Sequence, residues 1–232
     1  MPSPPDSLTL PDGLTLRGKQ LQWRHKPLYA EDPLQAWQGL LQVRGLHESD
    51  AFFSPQLNQL PNPLLMQDME KAVQRVVAAI QAGEAIHIFG DFDCDGVAGT
   101  SILVEALLAA GATITSSIPH RADDGHGIGV KPVQEAVAAG VSLGISVDTG
   151  TTCFAACDMA TSLGLDLIIT DHHLPDTHLP NAFALLNPAR HDCGFAERKL
   201  CGTGVAFFLL MAVWQRLGQL GKRPNYDLRL LL

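Results

Sequence analysis

From Leu64 onward, short apolar runs alternate with longer helical ones, and this alternation restricts the fold more than any other feature. MQDMEKAVQRVVAAIQAG places Met69, Val73, Val76, Val77 and Ile80 on one helix face, and Gly83 ends it. AIHIFG, TITSSIPH, VSLGISVD, LDLIITD and the shorter AFALLNP read as strands. GVAGTSILVEALLAAG, VKPVQEAVAAG, TCFAACDMATSLG and the apolar GVAFFLLMAVWQRLG read as helices. Strands separated by helices of about ten to fifteen residues predict an α/β fold: a parallel sheet with helices on both faces. Residues 1–63 are rich in Pro, Gln and Leu. They predict a small irregular or helical leader packing on the core, with Ser49-Asp50 capping a turn at Ala51-Phe52-Phe53. Residues 64–232 form the main domain.

Bulk properties narrow the class. The 232 residues suit one large domain with a small extension. No unbroken apolar stretch spans a bilayer, and MPSPPDSLTLPDG lacks a secretory signal's charge and apolar core. The five cysteines lack CxxC spacing, which argues against a zinc site or a disulfide framework and for a reducing cytoplasm. Cys153 and Cys157 share a helix face and read as buried small hydrophobes. The balance is acidic, 24 Asp plus Glu against 16 Lys plus Arg. By itself this does not suggest nucleic-acid binding. Nor does it exclude it, because cations held by carboxylates can meet phosphates.

Three of the predicted strands end in acids: GDFDCDG, SVDTG and ITDHH. In a parallel sheet, ligands bind at the carboxyl ends of the strands, so these segments converge on one crevice. Acids gathered there repel one another unless cations sit between them. In extended backbone, Asp91, Asp93 and Asp95 point one way, with a helix beginning near Val97. A calcium loop would need a later bidentate Glu and helical flanks on both sides, and neither is present. Asp148 by itself could be an N-cap; in this company it can bridge two ions. Of His172 and His173, one suits a metal and the other a substrate phosphate, since neighbours at a strand end face different ways. Asp171 suits the task of fixing an imidazole tautomer. Carboxylates with imidazole favour Mn²⁺, with Mg²⁺ as the cellular competitor. Arg121, at the end of TITSSIPH, could pair with a phosphate. Asp123-Asp124-Gly-His-Gly reads as a loop over the site. Gly202 and Gly204, before the last helix, could present backbone amides to a phosphate. His87, His120, His126, His178 and His191 read as structural or solvated.

The trio DFDCDG, VDTG and DHH resembles the DHH phosphoesterase superfamily. Arg44-Gly45-Leu46 through AFFSPQLNQLPNPLLMQDMEKAVQRVVAAI, and LCGTGVAF, are similar to its single-stranded-DNA exonuclease branch. The resemblance implies a two-metal phosphodiesterase that removes nucleotides from the 5′ end of single-stranded DNA in repair and recombination. It implies metal ligands Asp91, Asp93, Asp95, Asp148 and His172 for two Mn²⁺ or Mg²⁺ ions. It gives His173 to the scissile phosphate, with Asp171 beside it in the catalytic group. Candidate partners are single-stranded DNA, a helicase and a single-strand-binding protein, with no membrane. Departures are Thr151 after the second motif, Gly125-His126-Gly127 in a loop that often reads Gly-Tyr-Gly, and Phe89 where some relatives carry a His. The family's fourth acidic motif is expected beyond YDLRLLL, so the domain reads as incomplete at its C-terminal end. The chain is therefore expected to be the amino-terminal portion of a longer enzyme, with low or no activity of its own. Alternative readings are a DHH phosphodiesterase for short oligonucleotides or cyclic dinucleotides, and a non-catalytic DHH binding module.

Overall fold

The computed structural model describes residues 15–17, 22–24, 33–46, 53, 56–120 and 127–231. It divides into two units, residues 1–60 and 61–232. In the first, β1 (Thr15–Arg17) pairs antiparallel with β2 (Gln22–Arg24), and α1 spans Pro33–Arg44. The Trp37 and Phe53 rings meet edge-on, with centroids 5.6 Å apart. Ser49, Asp50, Ala51 and Phe52 lie outside the described residues.

The second unit carries the alternation read from the sequence. Its elements are α2 (Met69–Ala82), β3 (Ala85–Phe89), α3 (Cys94–Ala109), β4 (Thr113–Ser117) and α4 (Val130–Ala138). They continue with β5 (Leu143–Val147), α5 (Phe154–Ser162), β6 (Asp166–Thr170), β7 (Ala184–Leu186) and α6 (Gly202–Gln219). The strands form one parallel sheet in the order β4-β3-β5-β6-β7. Period-two alternation sends Ile86, Ile88, Ile145 and Ile168 to a layer shared with α2, α3 and α6. Phe89, Leu167 and Ile169 face the other layer, beneath Val133 and Ala136 of α4 and Ala156 and Ala160 of α5. Helices cover both faces, as expected for this fold class.

The order of connections matters for function. The chain leaves β3 for β4 on one side and then returns to β5 on the other. This reversal opens a crevice between the carboxyl ends of β3 and β5, where open α/β sheets bind ligands. The opposite end of the sheet is closed by charge pairing. There Arg75 of α2 donates to Glu84 and Asp166, each at 2.6 Å, and reaches the Ser142 carbonyl at 3.4 Å.

One local expectation is corrected. GDFDCDG is not extended throughout: α3 begins at Cys94, three residues before Val97. Asp93 is its N-cap, and its Oδ1 accepts the N–H groups of Asp95 (2.9 Å) and Gly96 (3.0 Å). A carboxylate with two donors in reach outcompetes the extended conformation. Asp95 therefore lies on the first turn of the helix rather than in an extended run.

Candidate metal centre

Three strand ends build the rim. After β3, Gly90 and Asp91 turn into α3, and a Cβ at Gly96 would lie 2.5 Å from the Asp91 carbonyl oxygen. Only glycine lets the helix start close against that backbone. After β5, Asp148 adopts a left-handed conformation, φ 60°, rare for a residue with a Cβ and a mark of constraint at functional positions. The turn is held by Ser146 Oγ donating to the Thr149 carbonyl at 2.7 Å. After β6 come Asp171, His172 and His173.

Their donor atoms converge in two overlapping sets. Asp148, His172 and His173 each offer one atom within 4.8 Å of the others, and so do Asp91, Asp93 and Asp148. Asp148 belongs to both. It is 2% exposed. His172 Nε2 stands 3.0 Å from Asp148 Oδ1. That approach is off the line a hydrogen bond needs, and Asp148 Oδ1 has no hydrogen-bond partner. Asp91 Oδ1 is likewise buried and unpartnered. Burial, reinforced by the charges of Asp95 and Asp93, raises the Asp148 pKa to about 8. Buried carboxylate oxygens without donors are costly, and a divalent cation is the partner that such oxygens lack.

Asp171 behaves oppositely. It is 1% exposed and fully engaged. Its Oδ1 accepts from His172 N–H (2.7 Å) and His173 N–H (3.2 Å), and meets His173 Nδ1 at 2.7 Å. Its Oδ2 accepts from Thr151 N–H at 2.9 Å. Burial works to raise its pKa, but the Thr151 and His173 hydrogen bonds win and hold it below the usual carboxylate range. The same bond outweighs burial at His173 and raises that imidazole's pKa. With Nδ1 committed to Asp171, His173 has Nε2 to offer a ligand.

Asp95 meets the start of α6, where Gly202 and Gly204 lie. Asp95 accepts Gly202 N–H at 2.7 Å and Thr203 N–H at 2.8 Å, while Thr203 Oγ1 donates to its carbonyl at 2.8 Å. Burial opposes its ionisation, yet the Thr203 and Gly202 donors lower its pKa. It caps α6 and stands 3.7 Å from His172 Nε2. The Gly202 amide is thus taken by Asp95, and the Gly204 amide donates to Cys201 Sγ at 3.4 Å. Both amides are directed to protein acceptors. Gly202 has a steric task instead, since a Cβ there would sit 2.5 Å from Asp148 Cβ. Arg121 and His126 lie outside the described residues.

Two residues were not singled out from the sequence. Asn187, fully buried at the end of β7, donates from Nδ2 to Thr151 Oγ1 (2.9 Å) and to the His173 carbonyl (2.8 Å). It ties two rim loops together. Its signal was available: a polar residue directly after an apolar strand, by the rule that picked out the aspartates. Arg190, 6% exposed, pairs with Asp68 and Asp192 and supports the loop after β7. No pattern marked it.

Residues 85–231 match the DHH family, N-terminal domain. The chain belongs to the DHH family. The single-stranded-DNA-specific exonuclease RecJ of Escherichia coli K12 is 41% identical over 146 residues, covering 62% of this chain and 25% of that protein. RecJ of Bacillus subtilis 168 is 38% identical over 180 residues, 78% of this chain and 21% of that protein. The crystal structure of RecJ in complex with Mn²⁺ from Thermus thermophilus superimposes with a TM-score of 0.64 at 32% identity. That match covers 79% of this chain and 26% of the other. A crystal structure of exonuclease RecJ bound to manganese gives 0.61 at 36% identity, covering 66% and 39%. This chain thus spans about a quarter of the length of these curated relatives. The DHH fold and family expected from the three motifs are the ones found. No helix among the described residues is long and apolar enough to cross a membrane.

Proposed function

We propose that the rim is a two-metal phosphodiesterase centre, serving a 5′-to-3′ exonuclease on single-stranded DNA in repair and recombination. The observation that carries this is Asp148, a buried carboxylate common to two donor sets with one oxygen unpartnered. The donors, carboxylates with imidazole, suit Mn²⁺ or Mg²⁺. Two such ions, when bound, supply Lewis-acid polarisation and charge neutralisation at a phosphodiester. Asp91, Asp93 and Asp148 would hold one, and Asp148 with His172 the other. His173 is assigned to the phosphate, because Asp171 favours its protonated form and a cationic donor suits a phosphate oxygen better than a metal. Asp171 orients His173. Asp95 is assigned a positioning role, fixing the start of α6 beside Asp148.

Single-stranded DNA is the substrate class of the matched RecJ relatives, and the two similar RecJ crystal structures with Mn²⁺ favour the metal assignment. A helicase and a single-strand-binding protein, and a cytoplasmic setting, go with this role. Calorimetric titration of the chain with Mn²⁺ tests the centre. Two ions are expected, with Asp148→Ala losing both; a wild-type chain that binds none overturns the reading. On 5′-labelled single strands, any mononucleotide release, however low, is expected to require Mn²⁺ and Asp148. Release from the 3′ end would contradict the polarity.

A further inference from the structure

A cleft of about 540 Å³ adjoins the carboxylates, and two chemistries line it. Asp91 and Asp148 supply a cation-seeking part, with His173 beside them to meet a phosphate. Ile128, Cys153 and Phe154 supply an apolar part. Its volume is that of a small-molecule site, and its mixed lining suits a ligand that is charged at one end and flat and apolar at the other.

Phe154 is the informative residue. It is the first residue of α5, it is 36% exposed, and it belongs to neither apolar layer of the sheet. A ring at a helix's first position gains little from local propensity, which favours acids or proline there. Burial does not explain it either. The loop before α4 is fitted to Cys153, the residue just before Phe154, at the same cleft: Gly127 (φ 89°) has no room for a Cβ, which would lie 2.8 Å from Cys153 Sγ. Ile128 N–H donates to that sulfur at 3.3 Å. The unpartnered oxygens of Asp91 and Asp148 independently indicate that this cleft receives a ligand.

We propose that Phe154 is a stacking platform for a nucleobase whose own phosphate lies at the carboxylate end of the cleft. This rests on the metal-centre reading above. It adds that the chain recognises a whole nucleotide rather than a phosphate alone. Because every base has a π-face, such a platform accepts all four without reading sequence.

The test is calorimetric, on the full chain with Mn²⁺ present, comparing dAMP and dTMP with 2-deoxyribose 5-phosphate. The nucleotides are expected to bind roughly fivefold to a hundredfold more tightly than the sugar phosphate. Phe154→Ala should abolish that increment and leave sugar-phosphate affinity unchanged. Phe154→Trp should keep it, and Phe154→Leu should lose most of it while preserving apolar bulk, which separates stacking from folding. Equal affinities in the wild-type chain, or an increment that survives Phe154→Ala, overturn the inference while Mn²⁺ binding persists. A wild-type chain that binds no Mn²⁺ would instead bring down the metal centre, and this inference with it.

Discussion

Two buried aspartates on one rim are held in opposite electrostatic states, and they predict opposite responses to substitution. Asp148 Oδ1 has no hydrogen-bond partner, and the Asp148 pKa is raised to about 8. In the unfolded chain it returns to about 3.9. Between those values the metal-free folded state holds a proton that the unfolded state has lost, so this group's contribution falls as pH rises through the window. Asp148→Asn should therefore stabilise the metal-free chain at pH 8, on the order of 2 kcal/mol, and flatten that pH dependence. It should also cancel the stabilisation by Mn²⁺. Denaturant midpoints at pH 6 and 8, with and without Mn²⁺, provide the check. Asp171 is the reverse, with several donors and a lowered pKa. Its contribution is full above about pH 4 and lost as pH falls through its depressed folded value. Asp171→Asn should cost about 3 kcal/mol, since it removes a buried charge and disturbs its donors. It should also lower the His173 pKa, read by NMR titration of the ring. Sequence reasoning found both aspartates because each follows an apolar run. It could not distinguish their states fully, because donors such as the Thr151 amide are placed only by the fold.

At the scale of elements, the last helix is fitted to the rim through its first turn. Asp95 accepts the amides of Gly202 and Thr203, and Gly202 leaves room for Asp148. Gly202→Ala would drive a methyl to 2.5 Å from Asp148 Cβ. It should cost about 1–3 kcal/mol and weaken Mn²⁺ binding, because helix and ligand must part. Gly204→Ala meets the Leu200 side chain at 3.4 Å and Cys201 Sγ at 3.7 Å, ordinary contacts, and should fall within about 1 kcal/mol of wild type with Mn²⁺ affinity kept. Paired thermal melts and metal titrations would separate them. Equal behaviour of the two variants would refute the close fit. The strands and helices were legible because apolar periodicity survives as burial. The role of Gly202 was not, since a GxG before a helix suits a phosphate, a carboxylate or a tight packing contact equally. The start of α3 was misplaced for a related reason: Asp93 prefers two backbone donors to an extended run.

At the scale of the whole molecule, metal occupancy should govern global stability. A ligand that binds only the folded state stabilises by mass action, about 2.7 kcal/mol at a hundredfold excess over its dissociation constant. Saturating Mn²⁺ should thus raise the melting temperature by several degrees, and EDTA should restore the lower value. A melting temperature indifferent to both would contradict a metal centre in this sheet. The gain should also be uneven. At the amino ends of the strands, Arg75 binds Glu84 and Asp166 from within the chain. At the carboxyl ends, Asp91 Oδ1 and Asp148 Oδ1 have no such partner, and on the metal-centre proposal a cation from solution supplies it. A chelator should therefore loosen one pole and spare the other. In deuterium uptake, amides near Asp148 and Gly202 should exchange faster once metal is stripped, while those of Ser142 and Asp166 keep their pace.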